Sequence, residues 1–245
     1  MSKNKYSKIP LYCNEVEEYE INNKNIARLR VFEWNIDVSN QCKVIFNFSK
    51  EGLVGLGNYA MRLANEYIEY DHSHIEPLGY SYSTQAMGFF LTPGSPELIF
   101  GCEDFGTLND NGINNAKKLN KSVNFNELKL EYLVDLNFDN DFLESHEIGF
   151  CNVAEIKVIK NNIDISKKCR VTLMLSKDAL IGIGTQALRL AHNYDKRIKY
   201  SIIPSNEENS NSSFGFYLTS DSSSMIVGCK DNKNVFYHDK NFGKW

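Results

Sequence analysis

Residues 42–67 read CKVIFNFSKEGLVGLGNYAMRLANEY, and residues 169–194 read CRVTLMLSKDALIGIGTQALRLAHNY. The two stretches align without a gap at an offset of 127, and 12 of their 26 positions are identical. The same offset sets MGFFLTPGSPELIFGCED, from Met87, against FGFYLTSDSSSMIVGCKD, from Phe214. It also sets NIDVS at Asn35 against NIDIS at Asn162, and Glu20-Ile21 against Glu147-Ile148. One register held over that span means two copies of one folding unit. Two units are too few for a solenoid, so the arrangement is a tandem duplication. The intervening stretch from Phe105 to Asn124 is rich in Asn, Gly and Lys and has no apolar period, as a linker does. The expected division is residues 1–110 for the first repeat, 111–125 for the linker and 126–245 for the second repeat.

Within each copy the pattern reads strand, strand, helix, then several strands. ARLRVFEW (Ala27–Trp34) and CKVIFNFS (Cys42–Ser49) alternate or run apolar. Ser49 then has the chemistry of a helix N-cap, with Glu51 in the first turn. Leu53, Leu56, Ala60, Leu63 and Tyr67 lie on one helical face, as do Leu180, Ile183, Ala187, Leu190 and Tyr194. HSHIE (His72–Glu76), GFFLT (Gly88–Thr92) and ELIFGC (Glu97–Cys102) follow as strands, with Pro-Gly-Ser as a turn. One helix per four or five strands predicts an α+β fold. Each repeat is expected to be a mainly antiparallel sheet with one long amphipathic helix on a face, the two related by pseudo-twofold symmetry.

Composition sets the outer limits. The chain has 245 residues, 42% hydrophobic and 24% charged, which is ordinary globular composition. Its net charge of −4 argues against nucleic acid as a primary partner, because phosphate binding needs a basic surface. No apolar run reaches the ~18 residues of a membrane span, and MSKNKYSKIPLY lacks the apolar core of a signal peptide. Six cysteines without a CxxC pair read as reduced, mostly buried thiols of a cytoplasmic protein.

Several residues could carry chemistry. Gly55, Gly57, Gly182 and Gly184 form GLG and GIG, but the rest of a phosphate-binding loop is missing. Inside a helix each costs about 1 kcal/mol against Ala, so close helix-on-sheet or repeat-on-repeat packing is the favoured reading. Cys42, Cys169, Cys102 and Cys229 fall in apolar strand patterns and read as buried packing residues. His192 and His238 have no spacing that links them to a cysteine as catalytic bases, and no GxSxG is present. Tyr80, Tyr82, Phe89 and Phe90 read as core-facing strand residues, some of them possible interface anchors. His72, His74 and Glu76 share one face of a strand and could hold zinc, which would make a metal-binding or small-molecule-processing enzyme. The second repeat has Lys199, Ser201 and Ile203 at those places, so the fold does not require them. An exposed partner-binding strand and a plain solvated one are the other readings.

Charge separates the copies. From Lys43 to Asp110 there are nine acids and three bases, a net of −6; from Arg170 to Tyr237 there are six acids and eight bases, a net of +2. Glu66, Glu69, Asp71 and Glu76 cluster at the helix end and the next strand. Such an acidic surface can steer a basic partner.

GLVGLGNYAMRLA at Gly52, HSHIEP at His72 and GSPELIF at Gly94 resemble, in that order, the bacterial immunity-protein family of polymorphic toxin systems numbered thirty-two. The resemblance covers Gly52 to Phe100. The second repeat keeps the helix but not the His residues or the Gly-Ser-Pro-Glu. The resemblance implies a small cytoplasmic protein that binds and neutralises a toxin of its own strain, with no catalytic residues and no cofactor. A nuclease toxin suits an acidic inhibitor, because a nuclease site is basic. The expected contacts are Glu66, Glu69, Asp71, His72, His74 and Glu76, with Asp104. The expected partner is the cognate toxin domain, not nucleic acid or membrane, and the two repeats associate within the chain. A purely structural pair of repeats sharing one continuous sheet is a further alternative.

Overall fold

The computed structural model describes residues 6–11, 23–77, 88–107, 130–135, 151–204 and 214–230. The first repeat contributes β1 (Tyr6–Leu11), β2 (Ile26–Glu33), β3 (Ile36–Asp37), β4 (Cys42–Phe48), α1 (Lys50–Asn65), β5 (His72–Ile75), β6 (Phe90–Leu91) and β7 (Glu97–Cys102). The second contributes β8 (Leu130–Asp135), β9 (Val153–Lys160), β10 (Ile163–Asp164), β11 (Cys169–Leu175), α2 (Lys177–His192), β12 (Lys199–Ile202), β13 (Tyr217–Leu218) and β14 (Ser224–Cys229). From β2 onward each element recurs 127 residues later with the same bounds. The α+β class and the two similar units are as the sequence predicts. Tyr80, Tyr82, His238 and the whole expected linker, residues 111–125, lie outside the described residues.

The strands do not stay within their repeats. β1 and β8 pair antiparallel as a two-stranded sheet. Of the two six-stranded sheets, one runs β13-β2-β11-β7-β5, with β3 also on β2; the other runs β10-β9-β4-β14-β12, with β6 also on β9. The long central ladders all join strands of different repeats. β2 pairs antiparallel with β11, and β4 antiparallel with β9. β7 runs parallel to β11, and β14 parallel to β4. Within a repeat, the strand pairings among the described residues are the short hairpins β2–β3 and β9–β10 and the pairs β5–β7 and β12–β14, with single bridges Pro77–Leu91 and Pro204–Leu218. Both sheets are therefore mixed rather than mainly antiparallel. The parallel ladders arise because a strand from each repeat meets one from the other.

Local chemistry explains the elements. Ser49 accepts from the Gly52 amide at 3.0 Å, and Ser176 from the Ala179 amide at 3.1 Å, each satisfying one orphan donor of a helix start. The same Ser49 hydroxyl oxygen accepts from the Val153 amide at 3.0 Å, so the cap also ties the repeats together. The helix ends at Asn65, where the Glu66 amide makes the last bond to the Arg62 carbonyl, so Tyr67 sits beyond it. The two helices pack on each other. A single buried cluster draws on both sheets and both helices, including Leu29, Phe46, Leu53, Phe100, Leu173 and Ile183.

The glycine pairs divide the packing work. A Cβ on Gly55 would stand 2.0 Å from the Gly88 carbonyl oxygen, and one on Gly182 would stand 1.9 Å from that of Gly215. Gly57 and Gly184 face each other across the helix pair; a Cβ on either would meet the other's carbonyl oxygen at 3.1 and 3.2 Å. The repeat-on-repeat packing expected of these glycines is present at Gly57 and Gly184, while Gly55 and Gly182 pack on the bends that lead into β6 and β13. Cys42, Cys102, Cys169 and Cys229 are buried free thiols, as their patterns predict, while Cys151 is exposed. No helix among the described residues is long and apolar enough to cross a membrane.

Candidate partner-binding surface

Of the acids expected to meet a partner, Glu66, Glu69 and Asp71 lie where the chain leaves α1, Glu76 follows β5 and Asp104 follows β7. Backbone bonds hold the loop after α1 to β7. The Tyr70 amide donates to the Cys102 carbonyl at 2.8 Å, and the Cys102 amide donates to the Asp71 carbonyl at 2.8 Å. Tyr70 takes a left-handed backbone, φ +67°, to make the turn. β5 then runs antiparallel to β7 at the end of its sheet, and no strand among the described residues pairs with its outer edge. On its inner side the Ser73 hydroxyl meets the Tyr59 hydroxyl at 2.8 Å, and Tyr59 packs edge-on against Phe100 at 5.9 Å. The surface is thus anchored through α1 to the core.

Glu66, Glu69, Asp71, His72, His74 and Asp104 are exposed, and Glu76 is half-buried. Glu69, Glu103 and Asp104 stand close enough to raise the Tyr67 phenol. Burial and then this negative surround push it up to about 12. Asp71 acts in the same direction on the Cys102 thiol, which burial chiefly pushes up to about 11. Glu66 sits at the C-terminal end of α1, where a carboxylate opposes the helix dipole and adds nothing to stability.

His72 and His74 do share a face, with ring centroids 5.1 Å apart. Gly101 lies opposite His72, and a Cβ there would stand 2.6 Å from that of His72. Each imidazole already has a partner. His74 Nδ1 meets Glu97 at 2.7 Å, and His72 Nδ1 meets the Tyr70 carbonyl at 3.0 Å. Among the described residues no three His, Cys, Asp or Glu side chains are grouped to hold a metal ion.

The structure adds two residues that charge counting passed over. Ile68 and Tyr70 are 64% and 67% exposed in the midst of the acids. The signal lay in the alternation of acid and apolar residues in EYIEYD, residues 66–71. At the equivalent places the second repeat has Asn193, Asp195, Lys196, Arg197, Ile198 and Lys199. There Arg197 pairs with Asp195 at 2.7 Å, and the acidic arc has no counterpart.

Residues 43–103 match the family model described as Immunity protein 32. No curated protein and no solved structure matches the chain. The Immunity protein 32 segment runs from β4 through β7 and contains six of the seven expected contact residues; Asp104 lies one position beyond it. The resemblance seen in GLVGLGNYAMRLA, HSHIEP and GSPELIF is therefore borne out. This segment does not close on itself. Its β5 and β7 pair in one sheet and its β4 and β6 lie in the other, where β9 of the second repeat stands between them.

Proposed function

We propose that this chain is a cytoplasmic immunity protein that binds a cognate secreted bacterial toxin of the nuclease class and neutralises it stoichiometrically, without catalysis. The observation that carries the reading is the exposed acidic arc around Tyr67, confined to the first repeat and lying almost wholly within the Immunity protein 32 segment. In this reading Glu66, Glu69, Asp71, His72, His74, Glu76 and Asp104 meet the toxin. Ile68 and Tyr70 supply apolar anchors, and Tyr is among the residues that carry most binding energy at interfaces. The acids draw in a basic, phosphate-binding active site and speed encounter. The staples from the loop to β7 hold the arc in shape before binding, which lowers the ordering cost. Residues 1–110 form the repeat that presents the arc, residues 126–245 complete its sheets, and residues 111–125 join them.

Co-expression with the toxin domain encoded beside this gene tests the proposal. Restored growth and a one-to-one complex on size exclusion are expected; no rescue and no complex would overturn it. Replacing Glu69 and Asp71 together by Lys is expected to slow association about tenfold at low salt, with the difference shrinking as salt screens the field. An on-rate unaffected by the double replacement would remove the steering role.

A further inference from the structure

A cleft of about 410 Å³ lies on the opposite kind of surface, a basic one. The turn at Thr92–Ser95 forms one wall, and the charged residues of the other are Glu155, Lys157, Asp164, Lys167 and Lys168. Its counterpart 127 residues away is filled by the protein itself. There the Asp221 carboxylate pairs with Arg30, lies 3.6 Å from Arg28 Nε and accepts from the Thr219 hydroxyl at 2.6 Å.

The two sites share their frame. Ser95 accepts from the Ile156 amide at 3.0 Å, as Ser222 does from Leu29 at 3.0 Å. Thr92 and Ser95 hydroxyls meet at 3.0 Å, as those of Thr219 and Ser222 meet at 2.8 Å. Asp164 caps Ser166 as Asp37 caps Ser39. What differs is the filling. Asp221 is replaced by Gly94, at φ +90°, where a Cβ would find nothing nearer than Lys167 Cε at 3.8 Å. Arg30 becomes Lys157, Asn40 becomes Lys167 and Gln41 becomes Lys168. Arg28 becomes Glu155, which also lines the cleft and is engaged by Lys230 at 2.7 Å. The Asp221 carboxylate is gone, and three lysines stand where the twin has two arginines.

Two of these three cations lack an ion-pair partner among the described residues. Among the described residues, the ion-pair partner of Lys157 is Glu155 at 3.7 Å, and Glu155 is engaged more closely by Lys230 at 2.7 Å. Lys167 and Lys168 make no ion pair among the described residues and are exposed. Beside them stands Trp34, whose amide donates to the Lys168 carbonyl at 3.4 Å. Trp34 is 72% exposed and holds a left-handed backbone, φ +51°, where its counterpart is Asn161. A bulky aromatic in that conformation is strained, and strain of this kind gathers at functional positions.

We propose that this cleft receives a side-chain carboxylate from an acidic segment of a partner protein, at the place Asp221 fills in the twin site, with Trp34 packing against the segment. The site goes beyond the toxin-binding reading and uses no residue of the acidic arc.

The test is a titration of the ¹⁵N-labelled full chain with the peptide Ac-Asp-Glu-Asp-Glu-NH2 at low salt, against its Asn/Gln counterpart and free N-acetyl-aspartate. Saturable shifts are expected at Gly94, Ser95, Lys157 and the Trp34 indole, with none at Thr219–Ser222 and none from the Asn/Gln peptide. The Lys157→Ala/Lys167→Ala chain, whose altered side chains lie at the surface, should keep its spectrum elsewhere and bind at least tenfold more weakly. No saturable shift, or equal binding by the double variant, would overturn the proposal. So would N-acetyl-aspartate binding as tightly as the peptide, which would mark a small-molecule carboxylate site.

Discussion

Replacing Gly55 by Ala should destabilise the protein although it improves the helix. In an ordinary exposed helix interior the change gains up to about 1 kcal/mol. Here the new methyl would lie 2.0 Å from the Gly88 carbonyl oxygen and 2.6 Å from its carbon. The obstacle is backbone, so it cannot rotate away. Gly88 itself holds φ +75°, its carbonyl accepts from Asn152 Nδ2 at 3.0 Å, and the adjoining Phe89 is fully buried edge-on against Phe48 at 5.3 Å. Separation to normal contact requires the loop or the helix to move by more than 1 Å against this packing. Inserting a methyl into a close-packed site costs about 1–3 kcal/mol, and a rigid backbone neighbour puts this case at the upper end. After the helix gain, the net loss is about 2 kcal/mol, or roughly 4–8 °C in Tm for a chain of this size. Thermal and urea unfolding of wild type, Gly55→Ala and Gly57→Ala would measure it. Gly57→Ala should cost less, because the nearest atoms it meets are the movable Leu188 side chain, at 2.6 and 2.9 Å. A Gly55→Ala protein as stable as wild type would refute the reasoning.

Other consequences can be checked on the same material. The fragment 1–110 should not exist as a folded monomer, because β4 finds its ladder partners only in β9 and β14; size exclusion should show a dimer or larger species, and a compact folded monomer would contradict the strand exchange. Trp34→Asn, which recreates the Asn-Asn turn of residues 161–162, should stabilise the chain by about 0.5–1 kcal/mol, since Asn tolerates the left-handed conformation far better; a lower urea midpoint would count against it. On the alkaline side, stability should fall as pH rises from about 9 towards 11–12. Burial pushes Cys102, Cys169 and Cys229 up to about 11 and Tyr59 up to about 12, so the folded state holds these protons more tightly than the unfolded chain does, and that advantage is lost as pH rises through the folded values. Urea midpoints that stay constant from pH 8 to 11 would disagree.

The sequence was most informative where the physics is local. Ser49 and Ser176 cap as their side chains require, the alternation in β2 and β4 places the buried faces, and the retained glycines mark close approaches. The strand exchange was not legible. An offset of 127 says which residues are equivalent, but an alternating strand has the same pattern whether its neighbour comes from its own repeat or the other. The same limit hid the cleft: Gly94 and Lys157 lie far apart in the chain, and the pairing of β6 with β9 of the other repeat brings them together. The acidic arc was legible as charge because Glu66, Glu69 and Asp71 are neighbours in sequence. Ile68 and Tyr70, between them, were hidden by an apolar pattern that ordinarily signals burial.

The most direct measurement is a hydrogen-exchange footprint of the protein alone and in complex with the toxin domain encoded beside its gene. Slowed exchange across residues 66–76 and at 103–104, with residues 193–203 unchanged, is the predicted result. Protection confined to 193–203, or none at 66–76 in a complex that has formed, would contradict the assignment of toxin binding to the acidic arc of the first repeat.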